Sequence, residues 1–137
     1  MYELSTRRFH ARKSSWRVLV LAWVALCGLA STVLAQAEDD LREGDRYFEE
    51  GEWRKASSAY DRAIRQYPRQ VAAEAYAKRA TIYIILKDYK SGLAFVNDTA
   101  KTVHPTAPEV LEQEALLLWE LGQRDRAVAV AEKVSLG

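Results

Sequence analysis

The stretch from Gly44 to Pro68 reads GDRYFEEGEWRKASSAYDRAIRQYP and determines the fold. Its second half has apolar residues three or four places apart, the spacing of a helix with one buried face; these are Tyr60, Ala63, Ile64 and Tyr67. Gly51 divides the stretch, and glycine suits the C-terminal end of a helix. A helix stops at Pro68, because proline cannot continue its hydrogen bonding. The stretch therefore predicts two helices joined by a tight turn.

The same pattern returns twice further along the chain. A small residue is followed twelve positions later by another, at Gly44 and Ala56, at Ala80 and Gly92, and at Ala115 and Ala127. The first members of these pairs are 36 and then 35 residues apart. Such a period indicates a helical repeat. Because two helices approach most closely where their side chains are small, we expect each pair to mark a helix crossing.

The positions of the turn and helix-breaking residues predict six helices. They span about 38–50, 53–66, 71–86, 89–102, 108–121 and 124–135, with apolar residues at helical spacing and with Pro68, Pro105 and Pro108 between the pairs. No run of alternating apolar and polar residues indicates a strand. The sequence thus predicts an all-α protein of three antiparallel helix pairs.

This repeat resembles the tetratricopeptide repeat (TPR), a helix–turn–helix unit of about 34 residues. The first repeat, from Ala37, has the residues typical of the family in order and spacing: Gly44, Tyr47, Gly51, Trp53, Ala56, Tyr60, Ala63 and Pro68. The second, from about Ala73, has Lys87 in place of the turn glycine. The third, from Pro108, keeps its small residues but has lost the aromatic ones. The resemblance places repeats near 37–70, 73–106 and 108–137.

The resemblance implies an α-solenoid whose first helices line a concave groove and whose second helices lie outside. Such a groove holds a peptide or a helix of a partner protein. The residues that follow the row Tyr47, Tyr83 and Leu118 look onto the groove in this family. Here they are Phe48, Ile84 and Trp119, which suit the anchoring of an amphipathic segment. The alternative is that neighbouring inner helices cover them as ordinary core.

Some TPR domains hold acidic C-terminal tails in a carboxylate clamp of Asn and Lys side chains on the inner helices. Here Asp45 and Lys78 stand where the clamp has asparagine, and the only Asn after residue 37 is Asn97, on an outer helix. Asp45 would repel an incoming carboxylate. We therefore expect the groove to act without such a clamp.

The N-terminal 37 residues have the layout of a secretory signal peptide. Residues 1–17 carry five basic side chains and one acidic one, an uncharged stretch runs from Val18 to Ala35, and small residues at Ala35 and Ala37 precede acidic ones. This predicts cleavage between Ala37 and Glu38, a mature domain at 38–137 and a periplasmic or secreted protein. The alternative is an uncleaved membrane anchor, because 18 uncharged residues approach the length that spans a bilayer.

The mature part has few residues suited to catalysis, metal binding or nucleic-acid binding. It has no cysteine, one histidine (His104), 15 basic and 18 acidic residues. A cysteine-free chain has no thiolate nucleophile, one histidine makes no zinc site, and a mild negative charge argues against nucleic acid. The glycines lie singly rather than in a phosphate-binding loop. We expect no catalysis and no cofactor.

Two functions fit these features. One is an adaptor that binds a protein or peptide in the groove. The other is a structural module that oligomerises by stacking its ends, since the last helix has apolar residues where a terminal repeat needs a polar outer face; these are Val128, Val130, Val134 and Leu136.

Overall fold

The computed structural model describes residues 13–136, with side-chain surroundings given for 19–22, 32 and 34–136. Within these residues the chain is helical and has no strand. Its elements are α1 (Lys13–Glu49), α2 (Trp53–Gln66), α3 (Ala73–Ile85), α4 (Tyr89–Phe95), a π-helical turn (Val96–Ala100), α5 (Lys101–Val103), α6 (Pro108–Glu120) and α7 (Arg124–Ser135). The predicted all-α class is confirmed.

Three of the predicted helices differ from the structure. The helix expected at 71–86 spans Ala73–Ile85. The helix expected at 38–50 is the last part of α1, which begins already at Lys13. The reason is that no proline interrupts the chain between these points, so the helix has no stop signal. The helix expected at 89–102 contains a wider π-helical turn at Val96–Ala100. No Gly or Pro lies within this turn, so the sequence does not indicate it.

Three turns of identical geometry close the first helix of each pair. Gly51, Lys87 and Gly122 have left-handed backbones, with φ of 74°, 58° and 75°. The amide of the following residue donates in each turn to the carbonyl five residues earlier, at Tyr47, Tyr83 and Leu118, over 2.9 Å. This is the hydrogen bond of a Schellman motif. Lys87 thus adopts the backbone that glycine adopts in the other two turns.

Two of the small residues lie in close packing. A Cβ atom on Gly44 would lie 2.8 Å from the ring of Tyr60, and one on Gly92 would lie 2.8 Å from both Leu117 and Tyr83. Tyr60 lies one helical turn after Ala56, and helical side chains point towards the N-terminus of their helix. The ring of Tyr60 therefore covers the turn on which Ala56 lies.

Ion pairs connect the first helix of each pair to a second helix. Arg62 on α2 donates to Asp40 over 3.0 Å and also binds Glu43, both on α1. Arg79 on α3 binds Asp61 on α2 through two nitrogens. Lys101 on α5 lies 2.9 Å from the carboxylate of the buried Glu114 on α6. By the resemblance, residues 36–49 of α1 together with α3 and α6 correspond to the inner layer of the solenoid, and α2, α4, α5 and α7, with the π-helical turn, correspond to its outer layer.

The described residues fall into two compact units, the first ending at Ala35 and the second beginning at Gln36. In the described part of the first unit, Leu19, Val20, Leu21 and Leu34 are exposed. No helix among the described residues is both long and apolar enough to span a membrane. The second unit holds the repeats, whose largest fully buried side chains include Tyr60, Tyr76, Ile82 and Leu117.

Candidate functional site

The inner layer is joined by polar contacts between successive inner helices. Lys78 on α3 donates to Asp45 on α1 over 2.9 Å, and Thr81 Oγ1 on α3 lies 3.1 Å from Gln113 Oε1 on α6. These contacts hold the three inner helices side by side. The predicted groove residues Asp45 and Lys78 are therefore brought together.

Asp45 and Lys78 are part of a compact network. One carboxylate oxygen of Asp45 accepts from the hydroxyl of Tyr60 over 2.7 Å and from Lys78, and Lys78 also lies 3.1 Å from Glu74. Burial lowers the pKa of Lys78, but the carboxylates of Asp45 and Glu74 outweigh it and raise that pKa overall. The charge of Lys78 is thus already neutralised by two carboxylates.

A small cavity lies at this network, between α1 and α3. Its volume is about 120 Å³, and its lining combines small apolar side chains with the charged network: Leu41, Asp45, Ala72, Glu74, Ala75 and Lys78. The burial of Tyr60, and next its hydrogen bond to Asp45, raise the pKa of the Tyr60 phenol. The phenol therefore stays protonated and keeps donating to Asp45.

The three residues predicted as an apolar stripe have different surroundings. Phe48 is half-buried against the core and meets Trp53 edge to face, with 5.3 Å between ring centroids. Ile84 is half-buried against the same core. Trp119 is 52% exposed, and the guanidinium of Arg124 lies 5.3 Å from its ring centroid. Contact of this stripe with a partner stays a prediction.

The repeat explains this difference between the three residues. Trp53, Tyr89 and Arg124 occupy one repeat position at the start of the second helix of each pair. In the first repeat this position holds an aromatic residue that packs on Phe48. In the third repeat it holds an arginine, which leaves much of Trp119 open to solvent.

A groove larger than the cavity at Asp45 lies between α6 and α7, the two helices of the third repeat. We call this surface the C-terminal end face. The groove has a volume of about 370 Å³, and its lining is mainly apolar: Glu112, Ala115, Leu116, Ala131 and Val134. The corresponding positions of the first repeat include Tyr60 and Ala63, which are fully buried. The third repeat therefore leaves open a surface that the first repeat buries.

Of the four apolar residues that the sequence predicts on an exposed face of the last helix, only Val134 lines this groove. Val128 and Leu136 are exposed as expected, whereas Val130 is buried against α6 and Val134 is half-buried. Sequence reasoning missed Leu116, which is 51% exposed. A signal for it exists, because Leu116 is apolar at the repeat position where Asp45 and Thr81 are polar.

Two further predicted features concern chemistry and export. Among the described residues no group of histidines and carboxylates has the arrangement of a metal site; His104 instead lies with Nε2 2.8 Å from the carbonyl of Val71 and its ring against Tyr76. Ala35 is exposed and Ala37 is buried, both within α1. Cleavage between Ala37 and Glu38 stays a prediction.

The fold is that of an all-α helical repeat solenoid. Three solved structures with this architecture are similar to the chain. The yeast Sti1 TPR2B domain in complex with pHsp70 is 23% identical, with a TM-score of 0.65, and covers 73% of this chain and 78% of its own. The second TPR of Spaghetti (RPAP3), bound to the HSP90 peptide SRMEEVD, is 22% identical, with a TM-score of 0.68 and coverage of 78% and 96%. The Arabidopsis OM64 TPR domain is 16% identical, with a TM-score of 0.68 and coverage of 76% and 84%.

These likenesses show that the chain has the TPR fold, and they confirm the resemblance of its repeats. The sequence matches no protein-family model and no curated protein. At such identities the likeness concerns the fold, and function has to be argued from the side chains.

Proposed function

We propose that this chain is a non-catalytic adaptor that binds a segment of another protein in the groove of its inner layer. The observation that carries the proposal is the half-exposed Trp119 on the inner helix α6. Large aromatic side chains contribute most to protein interfaces when a partner covers them. Similar folds carry peptides in their solved structures, such as the HSP90 peptide on the second TPR of Spaghetti.

Photo-crosslinking tests this proposal. Trp119 is replaced by benzoylphenylalanine, which keeps an aromatic ring at the inner layer, and the exposed Ser58 on α2 is replaced in the same way as the control. Irradiation of cells that express the full chain should give a discrete adduct with one partner protein from position 119 and none from position 58. Equal adducts from both positions, or none from position 119 in a folded protein, would count against groove binding.

We further propose that the adaptor is exported. The basic N-terminus, the uncharged stretch and the small residues at Ala35 and Ala37 support this proposal. Cleavage after Ala37 would leave Glu38, Asp39 and Asp40 in the first turn of the shortened helix, where carboxylates interact favourably with the helix dipole. N-terminal sequencing of the protein from an envelope fraction should give Glu38. An intact N-terminus in the membrane pellet would indicate an anchor at 18–35 instead.

A second candidate function is self-association through the C-terminal end face. The groove of about 370 Å³ between α6 and α7 favours it, because its apolar lining corresponds to a surface that the first repeat buries. The occupant proposed for this face is a second copy of the chain. The structural module considered from the sequence would assemble in this way.

A further inference from the structure

Charge is divided unequally between the two layers. From Glu38 onward the inner helices carry eleven acidic and four basic residues, a formal net charge of −7. The outer helices, counted with the π-helical turn, carry four acidic and nine basic residues, a net charge of +5. A groove lined by one sign of charge attracts segments of the opposite sign.

Four charged residues of the inner helices already form ion pairs with residues of the outer helices. Asp40 and Glu43 bind Arg62, Arg79 binds Asp61, and Glu114 binds Lys101. Without these groups the inner helices keep eight acidic residues and three basic ones. The excess of carboxylates therefore survives the pairing between layers.

The three remaining cations of the inner layer are each held by neighbours. Arg42 lies 3.3 Å from Glu38 and 3.4 Å from Asp39. The guanidinium of Arg46 lies 4.8 Å from the ring centroid of Tyr47. Lys78 is shared between Asp45 and Glu74. An acidic ligand would have to break these contacts to obtain a cationic partner.

Helix α6 adds carboxylates next to apolar side chains. It has no basic residue, and Glu109, Glu112 and Glu120 are exposed on it together with Leu116 and Trp119. The Arg124 guanidinium over Trp119 is an example, within the chain, of a cation on this ring. Such contacts are attractive because the face of an indole ring carries partial negative charge. The surface thus combines apolar contact with sites for cations.

We propose that the inner-layer groove recognises a cationic amphipathic helical segment, with apolar residues on one face and Lys or Arg residues on the other. This proposal rests on the proposed adaptor function and names the chemistry of its partner. Apolar side chains of the segment contact Trp119, and its cations pair with the exposed carboxylates of α6. The HSP90 peptide SRMEEVD bound by the second TPR of Spaghetti has three acidic residues. A segment of that kind would meet like charge here.

Three synthetic peptides test the proposal. Each has about 14 residues, roughly four helical turns, with leucines at helical spacing and with Lys, Gln or Glu at all remaining positions. Their affinities for the full chain are measured by fluorescence anisotropy at about 0.1 M salt, where exposed charges act over about 10 Å. The Leu/Lys peptide should bind about tenfold more tightly than the Leu/Gln peptide, a difference of about 1.4 kcal/mol. The Leu/Glu peptide should bind most weakly.

A pair of matched variants locates the effect. Glu109→Gln with Glu120→Gln removes two exposed carboxylates of α6 that do not line the groove between α6 and α7, and Asp125→Asn with Glu132→Gln removes two of the outer helix α7. Both changes reduce the negative charge equally, and each includes one acidic residue in a first helical turn. The α6 variant should weaken the Leu/Lys peptide about tenfold, within the range of a few exposed ion pairs. The α7 variant should change its affinity less than about twofold.

The possible failures are distinguishable. If the Leu/Glu peptide binds as tightly as the Leu/Lys peptide, the charge preference is wrong while groove binding stands. If the α6 and α7 variants weaken the Leu/Lys peptide equally, attraction is a property of net charge and the proposal is overturned. If no peptide binds a chain that circular dichroism shows to be folded, this proposal fails, and photo-crosslinking from position 119 decides separately on the adaptor function.

Discussion

The ring of Tyr60 lies directly against the backbone of Gly44, so that a Cβ atom there would be 2.8 Å from the ring. Tyr60 is fully buried and its hydroxyl donates to Asp45, so the ring has little freedom to move away. A substitution at Gly44 therefore probes the contact between α1 and α2. This contact explains why the first repeat has glycine where the other two have alanine.

Replacement of Gly44 by alanine should therefore destabilise the protein. Overpacking of a core costs about 1–3 kcal/mol, whereas alanine in a helix gains about 0.5–1 kcal/mol over glycine. We expect a net loss of about 1–2 kcal/mol in the free energy of unfolding, measured by urea denaturation. The exposed Ser58→Ala should change it by less than about 0.5 kcal/mol. A Gly44→Ala protein as stable as the wild type would show that Tyr60 gives way.

Lys87 should gain from replacement by glycine. Its left-handed backbone, with φ of 58°, is unfavourable for a side chain with a Cβ atom, yet it forms the same turn as Gly51 and Gly122. We expect Lys87→Gly to raise the free energy of unfolding by about 0.5–1 kcal/mol, after the entropy of glycine in the unfolded chain is counted. The reverse change, Gly122→Lys, should lower it by about 1 kcal/mol. Opposite signs for both changes would contradict this account of the turn.

The helical architecture was predictable because its signals are local. The bounds of α2 and α7 agree with the prediction, since Gly51 and Gly122 end the preceding helices. The turn at Lys87 was placed by the repeat although its glycine is missing. The partner of Gly44 was not predictable from small residues alone, because the direction of the Tyr60 side chain decides which atoms meet.

Exposure at the site was harder to predict than position. The repeat places Phe48 and Trp119 equivalently, but their burial depends on the residue that opens the next helix. That residue is Trp53 beside Phe48 and Arg124 beside Trp119. The repeat period predicts which residues occupy equivalent positions. It does not predict which neighbouring side chain covers each of them.

Phe48 and Trp119 should accordingly respond differently to truncation. Phe48→Ala removes packing against Trp53 and the core, and should cost about 2–3 kcal/mol, below the value for a fully buried Phe. A loss of this size lowers the melting temperature of a domain of this length by about 10 °C. Trp119→Ala should lower it by only a few degrees, since an exposed cation–π contact contributes about 0.5–1 kcal/mol. The measurement is a thermal melt of both variants.

Trp119→Ala should instead affect binding. Loss of an aromatic anchor costs about 2 kcal/mol or more, a factor of roughly 30 in affinity. The Leu/Lys peptide is the probe, and Ser58→Ala is the control that should bind as the wild type does. A Trp119→Ala protein with a much lower melting temperature and unchanged affinity would assign this residue to packing.

A separate prediction concerns the oligomeric state and follows from the C-terminal end face. Leu116 lies in the apolar groove with Ala131 and Val134, whereas Leu86 is equally exposed at the end of α3, outside that groove. If a second copy covers the groove, the chain should sediment as a dimer, and Leu116→Glu should shift it to the monomer, because a carboxylate without a partner is costly to bury. Leu86→Glu adds the same charge and should leave the dimer intact. A wild-type chain that stays monomeric at all accessible concentrations would remove self-association as a function and leave the groove of the inner layer as the binding surface.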